Sequence, residues 1–177
     1  LVHVAAASRL HTKPEAWLAP RLTRDLAHSV LDFAPFRSQV AYACGGPDVT
    51  LWDTGGLRST LRGLVDGDVQ GIAFFPLGDR VLSWTDDALT VWDAGSAEQV
   101  CVVRRNAAIS ACGILPGGSR VVACDVNDGC ALHDASSGEQ LGPVFGSGVI
   151  GMAVFPSGDR LLTWGIAGRA AVWFAGG

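Results

Sequence analysis

One spacing constrains this chain more than any other property: the same two landmarks return about every 40 residues. Four segments align: LDFAPFRSQV from Leu31, IAFFPLGDRV from Ile72, CGILPGGSRV from Cys112 and MAVFPSGDRL from Met152. Their prolines, Pro35, Pro76, Pro116 and Pro156, stand 41, 40 and 40 residues apart. A second landmark closes each unit at Trp52-Asp53, Trp92-Asp93, His133-Asp134 and Trp173-Phe174, at intervals of 40, 41 and 40. Two independent markers that hold one period define an array of small units, each burying its apolar face against its neighbours.

Each unit reads as strands. Ile72 and Phe74 alternate with smaller or polar residues, the period of two of a half-buried strand. Pro76-Leu77-Gly78-Asp79 then supplies turn chemistry, repeated at Pro116-Gly117-Gly118-Ser119 and Pro156-Ser157-Gly158-Asp159. Further strands are expected over 80–84, 88–92 and 99–103, with turns at Asp86-Asp87 and Asp93–Ser96. Four short strands per unit make the blade of a β-propeller, and no helix longer than two turns is expected over 28–174.

The motif F-x-P-x-G, an apolar strand, an Asp-containing turn and a closing Trp-Asp resembles the WD40 family over about residues 18–174. The resemblance implies four-stranded blades set radially around a channel, with each repeat offset from its blade. The repeats are placed at about 18–54, 57–94, 98–135 and 139–174, with 1–17 ending a preceding blade. The family's Gly-His pair is absent: Val65, Arg105 and Phe145 stand in its place. Its internal polar set is therefore incomplete. Ser83, Asp86 or Asp87, and Trp92 remain in the second unit, and Thr163 and Trp173 in the fourth. Trp84 and Trp164 occupy positions usually small in the family and offer an apolar replacement.

Charge and composition narrow the function. Charged residues are 17% of the chain against roughly 25% in ordinary domains, so part of the surface is expected to be covered, by further blades of the same polypeptide or by other protein subunits. A net charge of −4 and a single lysine, Lys13, argue against nucleic-acid binding. No apolar run approaches the ~20 residues of a membrane helix, and no membrane partner is expected. The five cysteines, Cys44, Cys101, Cys112, Cys124 and Cys130, are odd in number and form no C-x-x-C pair. They are read as buried thiols in a reducing compartment, with no zinc site.

Catalytic patterns are weak. Gly146-Ser147-Gly148 precedes a strand where a phosphate loop needs a helix. His28, Ser29 and Asp32 have the residue types of a triad but no implied geometry. His133 replaces a Trp and reads as a core imidazole, and Arg104-Arg105 reads as a solvated pair. No catalytic residue, cofactor or metal is assigned.

The expected function is a non-catalytic protein-interaction scaffold, intracellular and cytoplasmic. A structural component of a cytoskeletal or ciliary assembly and a propeller hydrolase stand as alternatives. Partner contact is expected on the face shared by the loops between blades and the loops between second and third strands: Arg62, Asp66, Asp68, Asp86, Asp87, Arg104, Arg105, Asn106, Asn127 and Asp128. Pro35, Pro76, Pro116, Pro156, Trp52, Trp92, His133, Trp173, Ser83 and Thr163 are assigned structural roles. The segment 18–26 either closes a four-bladed ring against the strand ending at Trp173 or completes an earlier blade. The strand-like Leu1–Val4, which has no place in a four-bladed ring, favours an arc of a larger propeller of about seven blades.

Overall fold

In the computed structural model, residues 29–34, 39–44, 46, 48–53, 58–61 and 67–175 are described. The expectations for 1–28, Pro35, Arg62 and Asp66 lie outside them. The described residues form fourteen strands and no helix. The first sheet holds β1 (Ser29–Phe33), β2 (Gln39–Cys44), β3 (Val49–Asp53) and β4 (Arg58–Leu61). The second holds β5 (Gly71–Phe74), β6 (Arg80–Trp84), β7 (Ala88–Asp93) and β8 (Gln99–Arg104). The third contains β9 (Ile109–Ile114), β10 (Arg120–Asp125) and β11 (Gly129–Asp134). The fourth contains β12 (Val149–Val154), β13 (Arg160–Gly165) and β14 (Ala170–Phe174). All pairs are antiparallel meanders, and β4 and β8 come from the sequence repeat after the one that supplies their sheet's other strands.

The tight turns come from one local code. Gly78, Gly118 and Gly158 take φ of 69°, 68° and 73°. Each donates its N–H to the carbonyl three residues back, Phe75, Leu115 or Phe155, at 2.8 Å. Proline presets the first corner, and glycine takes the left-handed conformation that an L side chain resists.

The third sheet departs from the four-strand expectation. Its outer segment pairs with β11 at two isolated bridges, His133 with Gln140 and Cys130 with Phe145. Gly142-Pro143 lies between them, and a proline has no N–H to give to a ladder.

Three buried clusters lie between consecutive sheets. Ala41, Val49, Leu51 and Leu61 meet Ile72, Phe74, Val81 and Trp92. Leu82, Leu89, Val91 and Val103 meet Val121, Ala123 and Ala135. Leu115, Val122, Cys124 and Cys130 meet Val149, Leu161 and Ala175. Each sheet between two others is thus apolar on both faces, and each fully buried Val, Leu, Ile or Phe among these side chains contributes about 1.5–3 kcal/mol.

Inside the blades, Trp92 Nε1 donates to Ser83 Oγ and Trp173 Nε1 to Thr163 Oγ1, each at 2.9 Å. The third sheet has Ala123 and His133 at these places, and His133 Nδ1 turns to the Gly138 carbonyl at 3.1 Å. Burial holds this imidazole's pKa below its usual value, and the nearby Arg105 charge adds to that; the Gly138 bond opposes both.

Trp84 and Trp164 lie across the glycines opposite them, Gly71 and Gly151, where a Cβ would fall 1.8 Å and 2.3 Å from the indoles. In the third sheet the matching pair is Ala111 and Cys124. Cys124 forms a disulfide with Cys130, directly opposite on β11. This corrects the all-thiol expectation. A turn centred on Val126–Asp128 places the two cysteines in register, which cysteine spacing alone does not reveal. Cys101 and Cys112 are free, and burial pushes the Cys112 thiol up to about 12.

Gly118→Val should lower stability by about 1 kcal/mol or more, because a β-branched residue is forced to positive φ. Chemical denaturation of the variant checks it, and an unchanged midpoint would contradict the turn assignment.

Candidate partner-binding face

The loops joining sheets and the loops joining second to third strands emerge at one end of the blades, and backbone hydrogen bonds tie them together. Arg105 N donates to Asp87 O at 2.7 Å and Ile109 N to Asp86 O at 2.6 Å, so the β6–β7 turn grips the β8–β9 connection. Val69 N to Gly46 O, at 3.1 Å, makes a similar link one blade earlier. On this platform Asp68, Asp86, Asp87, Arg104, Asn106, Asn127 and Asp128 are exposed. Arg104 stands 3.8 Å from Asp87, a solvated ion pair worth at most about 1 kcal/mol.

Arg105 is elsewhere. Its side chain is buried, and its guanidinium meets the fully buried Asp125 carboxylate, with Nη2 to Oδ2 at 2.6 Å and Nε to Oδ2 at 2.8 Å. Nη2 also donates to the Gly129 carbonyl at 3.1 Å. The expectation of a solvated arginine pair, with Arg105 offered to a partner, is therefore corrected. The β10–β11 hairpin reaches over and captures it. Asp125 Oδ1 accepts the N–H groups of Asn127 at 3.0 Å and Asp128 at 2.6 Å. Burial alone would raise this carboxyl's pKa. The Asp128 N–H, the Arg105 guanidinium and the Asn127 N–H outweigh it and hold the group below its usual range. Sequence reading missed Asp125, although an acidic residue opening a D-x-x-x-G turn was a usable signal.

With Arg105 and Asp125 neutralising each other inside, the exposed charge of these loops among the described residues comes from Asp48, Asp68, Asp86, Asp87 and Asp128 against Arg104 and Arg169. The hairpin tip carrying Asn127 and Asp128 is held at its base by the disulfide and the ion pair. It is a fixed projection.

The catalytic patterns acquire structural explanations. Asp32 accepts the Phe74 N–H across the first blade interface at 2.7 Å. Gly146 and Gly148 take positive φ in a connection that enters β12. Among the described residues, no group of three or more His, Cys, Asp or Glu could hold a metal. No helix of the described residues is long and apolar enough to cross a membrane.

The meandering sheets, packed flank on flank, define the blades of a β-propeller. Among solved structures, 1126 chains match. One is the β-propeller domain of Cps50 (Swd1) from Myceliophteria thermophila, at 20% identity and a TM-score of 0.74. The match covers 83% of this chain and 51% of that one, so the chain forms an arc of a larger propeller and spans about half the length of the matched domain. No family model and no curated protein matches the sequence. A likeness shared so widely identifies an architecture and not a task.

Asp125→Asn should destabilise the fold by about 3–5 kcal/mol, because Arg105 is left buried without its counter-charge. The folded-state pKa of Asp125 is lowered, so its contribution is fully present above the ordinary value of 3.8 and fades as pH falls through the lower folded value. Unfolding measured against pH should therefore show a flatter acid limb in the variant, and parallel limbs would contradict the pairing.

Proposed function

We propose that this arc is a non-catalytic platform on which another protein docks, across the loop face built by the β6–β7, β8–β9 and β10–β11 connections. The observation that carries the reading is the fixed hairpin at Val126–Asp128. A rigid projection loses little conformational freedom on binding, which favours recognition by a preset surface. Its surroundings are irregular from blade to blade, which suits one specific partner. The excess of exposed carboxylates favours a partner with basic residues at the contact, with charge setting on-rate and orientation more than affinity. The intracellular setting expected from the sequence rested on free thiols, and the Cys124–Cys130 disulfide removes that ground.

The test is a comparison of two variants carrying charge changes at opposite ends of the blades. Asp86→Lys with Asp87→Lys alters the proposed face, whereas Leu77→Asp alters an exposed turn at the other end. Partners retained by the parent chain in quantitative pull-downs should be lost with the first variant and kept with the second. Equal retention by both would reject the face.

A further inference from the structure

The third blade has a blade on either side of it, and among the described residues it alone closes its β10–β11 hairpin with a covalent bond, Cys124 to Cys130. In the second and fourth blades the same level of the sheet is filled by an indole laid over a glycine, Trp84 on Gly71 and Trp164 on Gly151. Those hairpins form without a disulfide, so the fold does not require one at this level.

The bond sits where the hairpin's other supports converge. Asp125 follows Cys124, and Gly129 precedes Cys130. The Asp125 carboxylate and the Gly129 carbonyl both accept from the Arg105 guanidinium. Arg105 belongs to the β8–β9 connection, whose N–H groups at Arg105 and Ile109 hold the β6–β7 turn. On the outer side, Cys130 and Phe145 exchange backbone hydrogen bonds at 2.8 Å and 2.9 Å, in one of the two isolated bridges that stand in for a full ladder. Disulfide, ion pair and bridge share one short stretch of backbone, so a displacement of one displaces the others.

Both sulfurs are fully buried in the cluster between the third and fourth blades, and Met152 Sδ lies 3.9 Å from Cys124 Sγ. Breaking the bond moves the sulfurs apart to non-bonded contact and adds a hydrogen to each, in an interior packed without spare room. The strands must part there, which carries Asp125 and Gly129 away from Arg105. A buried guanidinium without its counter-charge is strongly unfavourable, so Arg105 leaves the site and the loops it joined come loose. The free thiols are on the wrong side to exchange with this bond. Cys101 and Cys112 pack in the cluster between the second and third blades.

We infer that the Cys124–Cys130 bond is a redox switch for the order of the loop face. Oxidised, it fixes the hairpin tip and the β8–β9 connection to each other. Reduced, it releases both while the blades stay folded. The reductant is an external dithiol. One of its thiolates attacks a cysteine sulfur to give a mixed disulfide, and its second thiol then displaces the protein. Two electrons and two protons end on Cys124 and Cys130 as thiols, and the reductant leaves as a disulfide. The switch does not rest on any partner's docking at this face, and its test reads the loops themselves.

Hydrogen exchange of the full chain before and after dithiothreitol tests it, with alkylation and mass spectrometry reporting the state of Cys124 and Cys130. Reduction should speed exchange of the Arg105, Asn127 and Asp128 amides by about tenfold or more, as energetically coupled sites do. The Leu115 amide, bonded to the Arg120 carbonyl at the other end of the same blade, should keep its rate. Far-UV circular dichroism should stay unchanged, and oxidised glutathione should restore slow exchange. Cys124→Ala with Cys130→Ala should exchange fast at the loop amides with or without dithiothreitol; the parent chain decides alone if that variant fails to fold. Loop amides indifferent to reduction, equal acceleration at Leu115, loss of the strand spectrum, or two free thiols in the chain treated with oxidised glutathione would each overturn the inference.

Discussion

Everything in this fold depends on the packing of one sheet's flank on the next. A four-stranded antiparallel sheet of this size has little interior of its own, so its apolar side chains are covered only by neighbouring blades. Three clusters serve four sheets, and Arg80 and Arg120 tie the rims of two of those junctions with bonds to backbone carbonyls. A backbone acceptor is always available, so the clamp tolerates sequence drift in the receiving blade.

The third blade shows how much drift a blade bears when substitutions come as sets. Its neighbours place an indole over a glycine and bond another indole to a hydroxyl. Here the large indole is gone, alanine replaces glycine, and a cysteine pair spans the strands. His133 stands where the second indole would be and satisfies one nitrogen on its own turn, while Nε2 is buried without a hydrogen-bond partner. That orphaned nitrogen favours the neutral imidazole, in keeping with the lowered pKa.

Architecture was legible because it is written twice, in the proline-glycine turns and in the closing Trp-Asp landmarks. Both are local codes, and Gly78, Gly118 and Gly158 read them out alike. Partnerships between distant side chains were much less legible. Arg105 looked like half of a solvated pair because its partner is 20 residues away, across a blade junction. Cys124 and Cys130 are only 6 residues apart and were hidden for another reason: the centre of the hairpin turn, not the cysteine count, decides which residues face each other. The weakened outer edge of the third sheet was missed, although Pro143 was a usable local signal for it.

The stagger between repeat and sheet has a mechanical consequence. Because β4 and β8 are borrowed from the following repeat, the units overlap like courses of brickwork and cannot be separated at a seam. Pulling out the segment that begins with β8 would strip an edge from the second sheet and the inner strands from the third together. Local opening in such a chain should therefore spread to two neighbouring sheets at once, and cooperativity that a simple stack of independent units would lack is built into the connectivity itself.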